Sequence, residues 1–380
     1  MRQDPPPPLI DVLVVDDSAV VRQLMSALLG PQAGIRLATA SDPVVAMAKM
    51  RRHRPHVILL DLEMPRMDGL TFLKQIMATD PLPVVVCSGF AEPGTMLAMR
   101  ALAAGAVDVL PKPRVSPSGF AEDNGLLDVV RAAAAAKVGP PRVSVPRTTT
   151  LPGIALPAAP KRVPVRAPAR TEVTGSYRMA NDAIVAIGAS TGGTEALRDI
   201  LRAMPYDAPG IVIVQHMPAG FTAAFADHLN AQCKIEVLEA APGDRVIPGR
   251  ALVAAGNRHL RLRRHGFDLV VELSDEAHVC RHRPSVDVLF HSVADLLGRN
   301  AVGVILTGMG ADGAAGLLAM KRAGAQTIAQ DEATSVVFGM PKEAIDRGAV
   351  DVVLPLPRIA AGILQRIPSG TGNRIAEANR

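Results

Sequence analysis

Asp16, Asp17, Asp61, Ser88 and Lys112 follow short apolar runs that read as buried strands: Val12 to Val15, Val57 to Leu60, Val84 to Cys87 and Val107 to Leu110. In an open parallel α/β sheet the carboxyl ends of the strands share one crevice, so side chains planted there converge. Three carboxylates held together repel one another unless a divalent cation lies among them, and oxygen ligands alone favour Mg²⁺. Such a metal offsets the charge of an incoming phosphoryl group while one carboxylate attacks phosphorus. Lys112 and the Ser88 hydroxyl would then hold the new phosphoryl oxygens. Most aspartates are merely solvated loop carboxylates, but four strand ends that agree at once favour a phosphorylation switch.

A second set follows later in the chain. Ser190 lies in Gly188-Ala189-Ser190-Thr191-Gly192-Gly193-Thr194, directly after the apolar run Ile184 to Ile187 and before a helix whose inner face is Leu197, Ile200, Leu201 and Met204. A serine in a glycine-rich turn at a helix N-terminus lies beside free backbone N–H groups, which suit an oxyanion. The turn fits the G-x-S-x-G nucleophile pattern, but such turns bind phosphate about as often as they carry a nucleophile. His216 ends the next apolar run, Ile211 to Gln215, and Asp312 follows the run Val302 to Leu306. A lone strand-end histidine is more often structural. Serine, histidine and aspartate at three strand ends, however, compose a nucleophile, a base and an orienting carboxylate. In that reading Ser190 attacks an ester carbonyl, His216 moves the proton and Asp312 fixes the imidazole. The order Ser, His, Asp differs from the Ser, Asp/Glu, His order of α/β-hydrolases, so that fold is not expected. No Lys-Ser/Thr pair follows the glycines, which disfavours a phosphate-binding loop.

The elements that must position these residues alternate at short range. Val21, Leu24, Met25 and Leu28 have amphipathic helical spacing, Val44 to Met50 forms a second helix, and Leu126 to Lys137 the last of the first half. Five βα units over about 125 residues predict a doubly wound parallel sheet covered on both faces. The chain has 380 residues and 48% apolar content. It shows no unbroken apolar run of about 18 residues, so a soluble globular chain without a membrane span is expected. The polar, proline-rich start, Met1 to Pro8, does not read as a signal peptide. Cys87, Cys233 and Cys280 form no disulfide framework and suit a reducing cytoplasm. The net charge of +5 is misleading as a sign of nucleic-acid binding. Lys137 to Arg178 holds eight Lys/Arg, eight prolines and one acidic residue, so the basicity belongs to a segment expected to be extended and disordered. Two domains are therefore expected, residues 9–137 and 182–368, tethered by 138–181.

Residues 9 to about 135 resemble the receiver domains of bacterial two-component systems. The resemblance rests on Asp16-Asp17, the stretch Asp61-Leu62-Glu63-Met64-Pro65-Arg66-Met67-Asp68-Gly69, Ser88-Gly89 and Pro111-Lys112-Pro113. It implies a flavodoxin-like (βα)5 receiver in which Asp61 is the phospho-acceptor and Ser88 and Lys112 sense the phosphoryl group. Asp16, Asp17, Asp61 and the Glu63 backbone carbonyl would serve Mg²⁺. Val109 stands where many receivers carry an aromatic switch residue, so an aromatic rotamer flip cannot be the signal here.

The segment around Ser190, together with Gln215-His216-Met217-Pro218, Arg283-Pro284-Ser285-Val286-Asp287-Val288-Leu289-Phe290, Thr307 to Gly313 and Phe338-Gly339-Met340-Pro341, looks like the catalytic domain of chemotaxis protein-glutamate methylesterases. The resemblance implies a doubly wound, mostly parallel three-layer α/β/α catalytic domain with no cofactor of its own. Ser190, His216 and Asp312 would be its triad, with Thr191 and the Met309 amide near the oxyanion. It further implies hydrolysis of γ-glutamyl methyl esters on chemoreceptors, with receptor glutamine deamidation in many members. A histidine kinase would be the phosphodonor, and the unphosphorylated receiver would lie across the esterase crevice. The protein is then expected to be a cytoplasmic monomer at receptor arrays, binding no nucleic acid and inserting into no membrane. Two other classes stay open: a hydrolase of some other ester or amide, and a non-catalytic scaffold that binds kinase and receptor.

Other features carry less weight. His278, Cys280 and His282 alternate along a stretch expected to be extended, which would place them on one face without a fourth metal ligand. Ser285 is expected to cap a helix whose stripe is Val286, Leu289, Phe290, Val293 and Leu297. Arg258 and Arg283 could line an electropositive mouth. Asp331 and Glu332 receive no role.

Overall fold

The computed structural model describes residues 9–65, 67–89, 92–113, 125–139 and 183–367. Apart from Val138 and Gly139, the expected tether 138–181 lies outside these residues, as does the start, Met1 to Pro8.

The first half alternates β1 (Ile10–Val15), α1 (Ala19–Leu29), β2 (Ile35–Ala40), α2 (Pro43–Arg52), β3 (Val57–Asp61), α3 (Gly69–Thr79), β4 (Val84–Ser88), α4 (Glu92–Ala103), β5 (Asp108–Pro111) and α5 (Leu126–Ala134). The strands pair in parallel in the order β2-β1-β3-β4-β5. Every residue of β3, β4 and β5 is buried, as expected where helices cover both faces. Ser18, Asp42 and Asp68 cap α1, α2 and α3 through their side chains, satisfying N–H groups that a helix start leaves unpaired. Strand order turns back between β1 and β3, so the crevice at their carboxyl ends receives Asp16 and Asp61.

The second half runs β6 (Ile184–Ala189), α6 (Gly193–Ala203), β7 (Gly210–Gln215), α7 (Thr222–Asn230), β8 (Glu236–Glu239), β9 (Arg250–Val253), β10 (His259–His265), β11 (Asp268–Ser274), α8 (Val286–Leu297), β12 (Ala301–Ile305), α9 (Ala314–Arg322), β13 (Gln326–Gln330), α10 (Met340–Asp346), β14 (Val352–Leu354) and α11 (Leu356–Arg366). Seven strands form one sheet, β14-β13-β12-β6-β7-β9-β8, in which each pairing is parallel. β10 and β11 form a separate antiparallel hairpin. β6 lies between β7 and β12, so strand order reverses there and the crevice opens over the ends of these three strands.

The two halves touch. α4 packs on α6 and α7. The last helix of the first half stops at Ala134 rather than reaching Lys137, because the Lys137 amide donates to the Val336 carbonyl of the second half (2.9 Å). At Gly192, the left-handed N-cap of α6, an added Cβ would meet Val336 at 2.5 Å, so only glycine allows this approach.

Candidate active site and phosphorylation site

The first crevice gathers Asp16, Asp61 and Lys112. The Lys112 ammonium lies 2.7 Å from Asp61 Oδ2 and 3.6 Å from Asp16 Oδ2. Asp16 Oδ1 accepts the Ser18 amide (2.8 Å) and Asp61 Oδ1 the Glu63 amide (3.2 Å). Asp17 is exposed, yet oxygens of Asp16, Asp17 and Asp61 all lie within 4.8 Å of one another. Burial pushes the Asp16 and Asp61 carboxyls up in spite of Lys112. Lys112 is itself pulled down by burial, but Asp61 and Asp16 outweigh this and raise it. One ammonium thus faces three carboxylates, and the surplus negative charge is what a divalent cation would neutralise. The buried Asp16 Oδ2 and Asp61 Oδ2 find no hydrogen-bond donor beyond that ammonium, leaving lone pairs available to a metal. Ser88 is buried at the end of β4, and Val109 is buried within β5.

The second crevice brings Ser190, His216 and Asp312 to the ends of β6, β7 and β12. The Ser190 amide donates to the Thr307 carbonyl and the His216 amide to the Ala189 carbonyl, both at 3.0 Å, so the sheet ladder itself sets these two residues side by side. Asp312, 1% exposed, accepts four hydrogen bonds: Ser285 Oγ (2.7 Å) and the Asp287 amide (3.0 Å) on Oδ1, the Val286 amide (2.8 Å) and His216 Nε2 (2.8 Å) on Oδ2. Burial alone would raise this carboxyl; His216 and the amides at the start of α8 hold it at about 2. An ionised carboxylate only accepts, so His216 carries its proton on Nε2 and Nδ1 is left bare. Nδ1 is buried and has no hydrogen-bond partner among the described residues, the Ser190 hydroxyl included, so its lone pair is unoccupied. The carboxylate thus meets Nε2, whereas in the familiar Ser-His-Asp arrangement it meets Nδ1. The hydrogen bonds among the described residues leave the Thr191 and Met309 amides unused, so both are free to serve an oxyanion.

Several residues at this site escaped sequence reasoning. Gln215 Nε2 donates to the Ser190 carbonyl (2.9 Å) and the His216 carbonyl (3.1 Å). Thr307 Oγ1 donates to the Thr191 carbonyl (2.9 Å) and accepts the Val337 amide (2.9 Å). The His282 ring stacks on His216, centroids 3.8 Å apart and planes within 10°. Burial, and after it the neighbouring His216, push the His282 pKa well down, which favours the neutral ring. Gln215 and Thr307 lie inside stretches that carry the resemblance, yet their contacts, like that of His282, leave no mark in residue type or spacing.

The stretch expected to be extended is not. Cys280 and Arg281 have φ of 51° and 67°, and Val279 and His282 exchange both backbone hydrogen bonds, making a tight turn. Side chains alternate between faces only on an extended chain, so His278, Cys280 and His282 do not share one. Ser285 does cap α8, accepting the Val288 amide, in addition to holding Asp312. Arg258 pairs with Asp275 (3.0 Å), and the Arg283 guanidinium binds Asn257 Oδ1 and the carbonyls of Asp275 and Glu276. Both arginines are thus held by groups of their own surroundings.

The first half covers this crevice. The Gly192 amide donates to the Val107 carbonyl (3.2 Å) and Thr191 Oγ1 to Asp108 Oδ2 (2.9 Å). Lys137 pairs with Glu332 (3.1 Å) and Arg281 with Asp128 (3.2 Å). Ser190 is only 8% exposed beneath these contacts. Burial lifts the Asp108 carboxyl to about 6, against the Val109 amide, the Thr191 hydroxyl and the field of His216.

The CheB methylesterase family matches residues 185–363, and the response regulator receiver domain family matches residues 12–118. Protein-glutamate methylesterase/protein-glutamine glutaminase 1 of Anaeromyxobacter dehalogenans (strain 2CP-C) is 57% identical over 93% of this chain and 98% of its own. Protein-glutamate methylesterase/protein-glutamine glutaminase 2 of Xanthomonas axonopodis pv. citri (strain 306) is 54% identical over 93% of this chain and 100% of its own. The Thermotoga maritima CheB methylesterase catalytic domain is 38% identical, covering 48% of this chain and 97% of that structure, with a TM-score of 0.48.

Asp108 yields a prediction about the covering contact. Burial favours the neutral acid, so the covered arrangement holds a proton that an uncovered one releases between 3.8 and about 6. The contact is therefore strongest below that window, weakens as pH rises through it, and above it carries a penalty on the order of 3 kcal/mol. Asp108→Asn keeps the hydroxyl partner and removes the charge. Energy transfer between dyes on the two halves should report a tighter contact in this variant and no dependence on pH between about 4 and 7. A looser contact, or an unaltered pH response, would refute the assignment.

Proposed function

The chain belongs to the CheB methylesterase family and carries a response regulator receiver domain, and from this membership and the geometry above we propose that it is a phosphorylation-activated protein-glutamate methylesterase acting on chemoreceptors. The observation that carries this reading is the His216–Asp312 contact beside Ser190, lying beneath Asp108 of a phosphorylatable half. Residues 182–368 would form the catalytic domain and residues 9–137 the receiver, joined by 138–181.

The steps follow from the donors and acceptors present. Ser190 Oγ gives its proton to His216 Nδ1 and attacks the γ-carbonyl of a glutamyl methyl ester. Asp312 stabilises the resulting imidazolium through Nε2–H. The Thr191 and Met309 amides donate to the developing oxyanion. His216 then returns the proton to the departing methoxide, releasing methanol. Water, deprotonated by the same nitrogen, hydrolyses the acyl-serine to glutamate. A glutamine side chain passes through the same acyl-serine with ammonia leaving, which supports receptor glutaminase activity as well.

In the receiver, Asp61 is the phospho-acceptor, and Ser88 and Lys112 contact the transferred group. Asp16, Asp17, Asp61 and the Glu63 carbonyl would hold Mg²⁺, which when bound neutralises charge during phosphoryl transfer. The crowded carboxylates and the unpartnered Asp16 Oδ2 fit that ion. The phosphodonor is a chemotaxis histidine kinase. No helix among the described residues is long and apolar enough to cross a membrane. As a chemoreceptor methylesterase the protein would work in the cytoplasm, meeting membrane-bound receptor arrays from that side.

Two expected outcomes test this reading. Ser190→Ala should lower methanol release from methylated receptor membranes by ~10³-fold or more while leaving the unfolding midpoint unchanged. Undiminished release would exclude the mechanism. Asp61→Asn should retain a basal esterase that acetyl phosphate no longer stimulates; continued stimulation would remove Asp61 from its role.

A further inference from the structure

His259 opens β10, is fully buried, and touches none of the reacting groups. Its Nδ1 accepts the Ser285 amide (3.2 Å), and its Nε2 lies 3.0 Å from the Ala277 carbonyl. An amide N–H can only donate and a carbonyl can only accept. The two partners therefore fix the ring as neutral imidazole with its proton on Nε2. Burial, with Arg261 and Arg283 nearby, disfavours the imidazolium, and only the Ala277 carbonyl and Glu276 oppose them.

These bonds close the ends of one segment, residues 277–285. That segment reaches the site twice. From its interior, His282 lies flat against the His216 ring. At its end, Ser285 Oγ donates to Asp312 Oδ1, and the next two amides, of Val286 and Asp287, donate to the same carboxylate. A buried histidine with both nitrogens satisfied is most often a structural residue. Here the loop it closes carries the two residues, His282 and Ser285, that contact the base and its carboxylate.

We propose that His259 is a positioning residue for the hydrolysis: it clips the 277–285 loop shut and, through His282 and Ser285, sets the plane of His216 and the direction of Asp312. The proposal rests on the methylesterase reading above. A displacement of about an ångström in a proton-transfer pair is worth as much as 10²-fold in rate, so an unclipped loop should slow turnover and leave substrate binding alone.

The test uses the full-length protein stimulated with acetyl phosphate and acting on methylated receptor membranes. His259→Phe fills the space without either nitrogen, and kcat should fall about 10- to 100-fold with KM unchanged within about twofold. His259→Gln offers a carbonyl oxygen to Ser285 and an amide to Ala277, and should recover most of the loss. A Phe variant that is folded at the assay temperature yet keeps full kcat overturns the proposal, as does a Gln variant no better than Phe. Should His259→Phe fail to fold, ring-nitrogen NMR of the wild-type protein decides. A proton on Nε2 with no titration between about pH 5.5 and 8 is expected, and a proton on Nδ1, or a ring that titrates, overturns it. Ser190→Ala separates the levels: if it stays active the methylesterase reading fails, whereas an inactive Ser190→Ala beside a fully active His259→Phe removes only the positioning role.

Discussion

Asp312 is a carboxylate with 1% of its surface exposed, and a buried charge is tolerable only where donors surround it. Three of its four donors come from the start of α8 and the fourth from the end of β7. The charge thus sits on a helix N-terminus, where the backbone dipole favours an anion, and it joins the helix to the sheet. The second half is built to permit this. A Cβ at Gly188 would lie 2.2 Å from Val286, so α8 can bring its first amides to the crevice only because β6 is bare at that point. Any change that lifts α8 from β6 leaves a buried carboxylate short of donors, which ties the site's geometry to the stability of the helix.

The same low dielectric acts with opposite sign at the covering contact. Asp312 has enough donors to remain ionised, whereas Asp108 has the Val109 amide and the Thr191 hydroxyl, and burial dominates. A contact that buries an under-supported carboxylate is weaker than the same contact built from apolar residues. That weakness suits a cover that must come away. A receiver can supply only a few kcal/mol of bias, and a seal much stronger than this would not respond to it.

The strand-end residues were legible in the sequence because a parallel sheet fixes their meaning. Apolar runs of four to six residues must be buried strands, and whatever follows each one lies in the crevice. Ser190, His216, Asp312, Asp16, Asp61 and Lys112 all announce themselves in this way. His259, His282, Thr307 and Asp108 do not. Their roles arise from pairings across 18 to 116 positions, as in His259 with Ala277 and Thr307 with Thr191, which no periodicity encodes. The misread stretch around Cys280 fails for a local reason. Two consecutive non-glycine residues adopt positive φ there, a conformation that residue type alone does not forecast for Cys and Arg.

β5 links the two chemistries along one short piece of backbone. Lys112, next to Asp61, follows its carboxyl end, and Asp108, against Thr191, begins it. Four strand residues span roughly 13 Å, and a strand between buried faces moves as a unit instead of bending. The preceding carbonyl, of Val107, occupies the Gly192 amide beside Ser190. With Val109 buried in the interior there is no aromatic side chain at that position to swing between states. A shift that draws Lys112 toward a phosphoryl group on Asp61 would instead move the strand itself. Such a motion would reach the Asp108 carboxylate and the Val107 carbonyl, and through them the turn carrying Ser190, as displacement of backbone rather than as a rotamer.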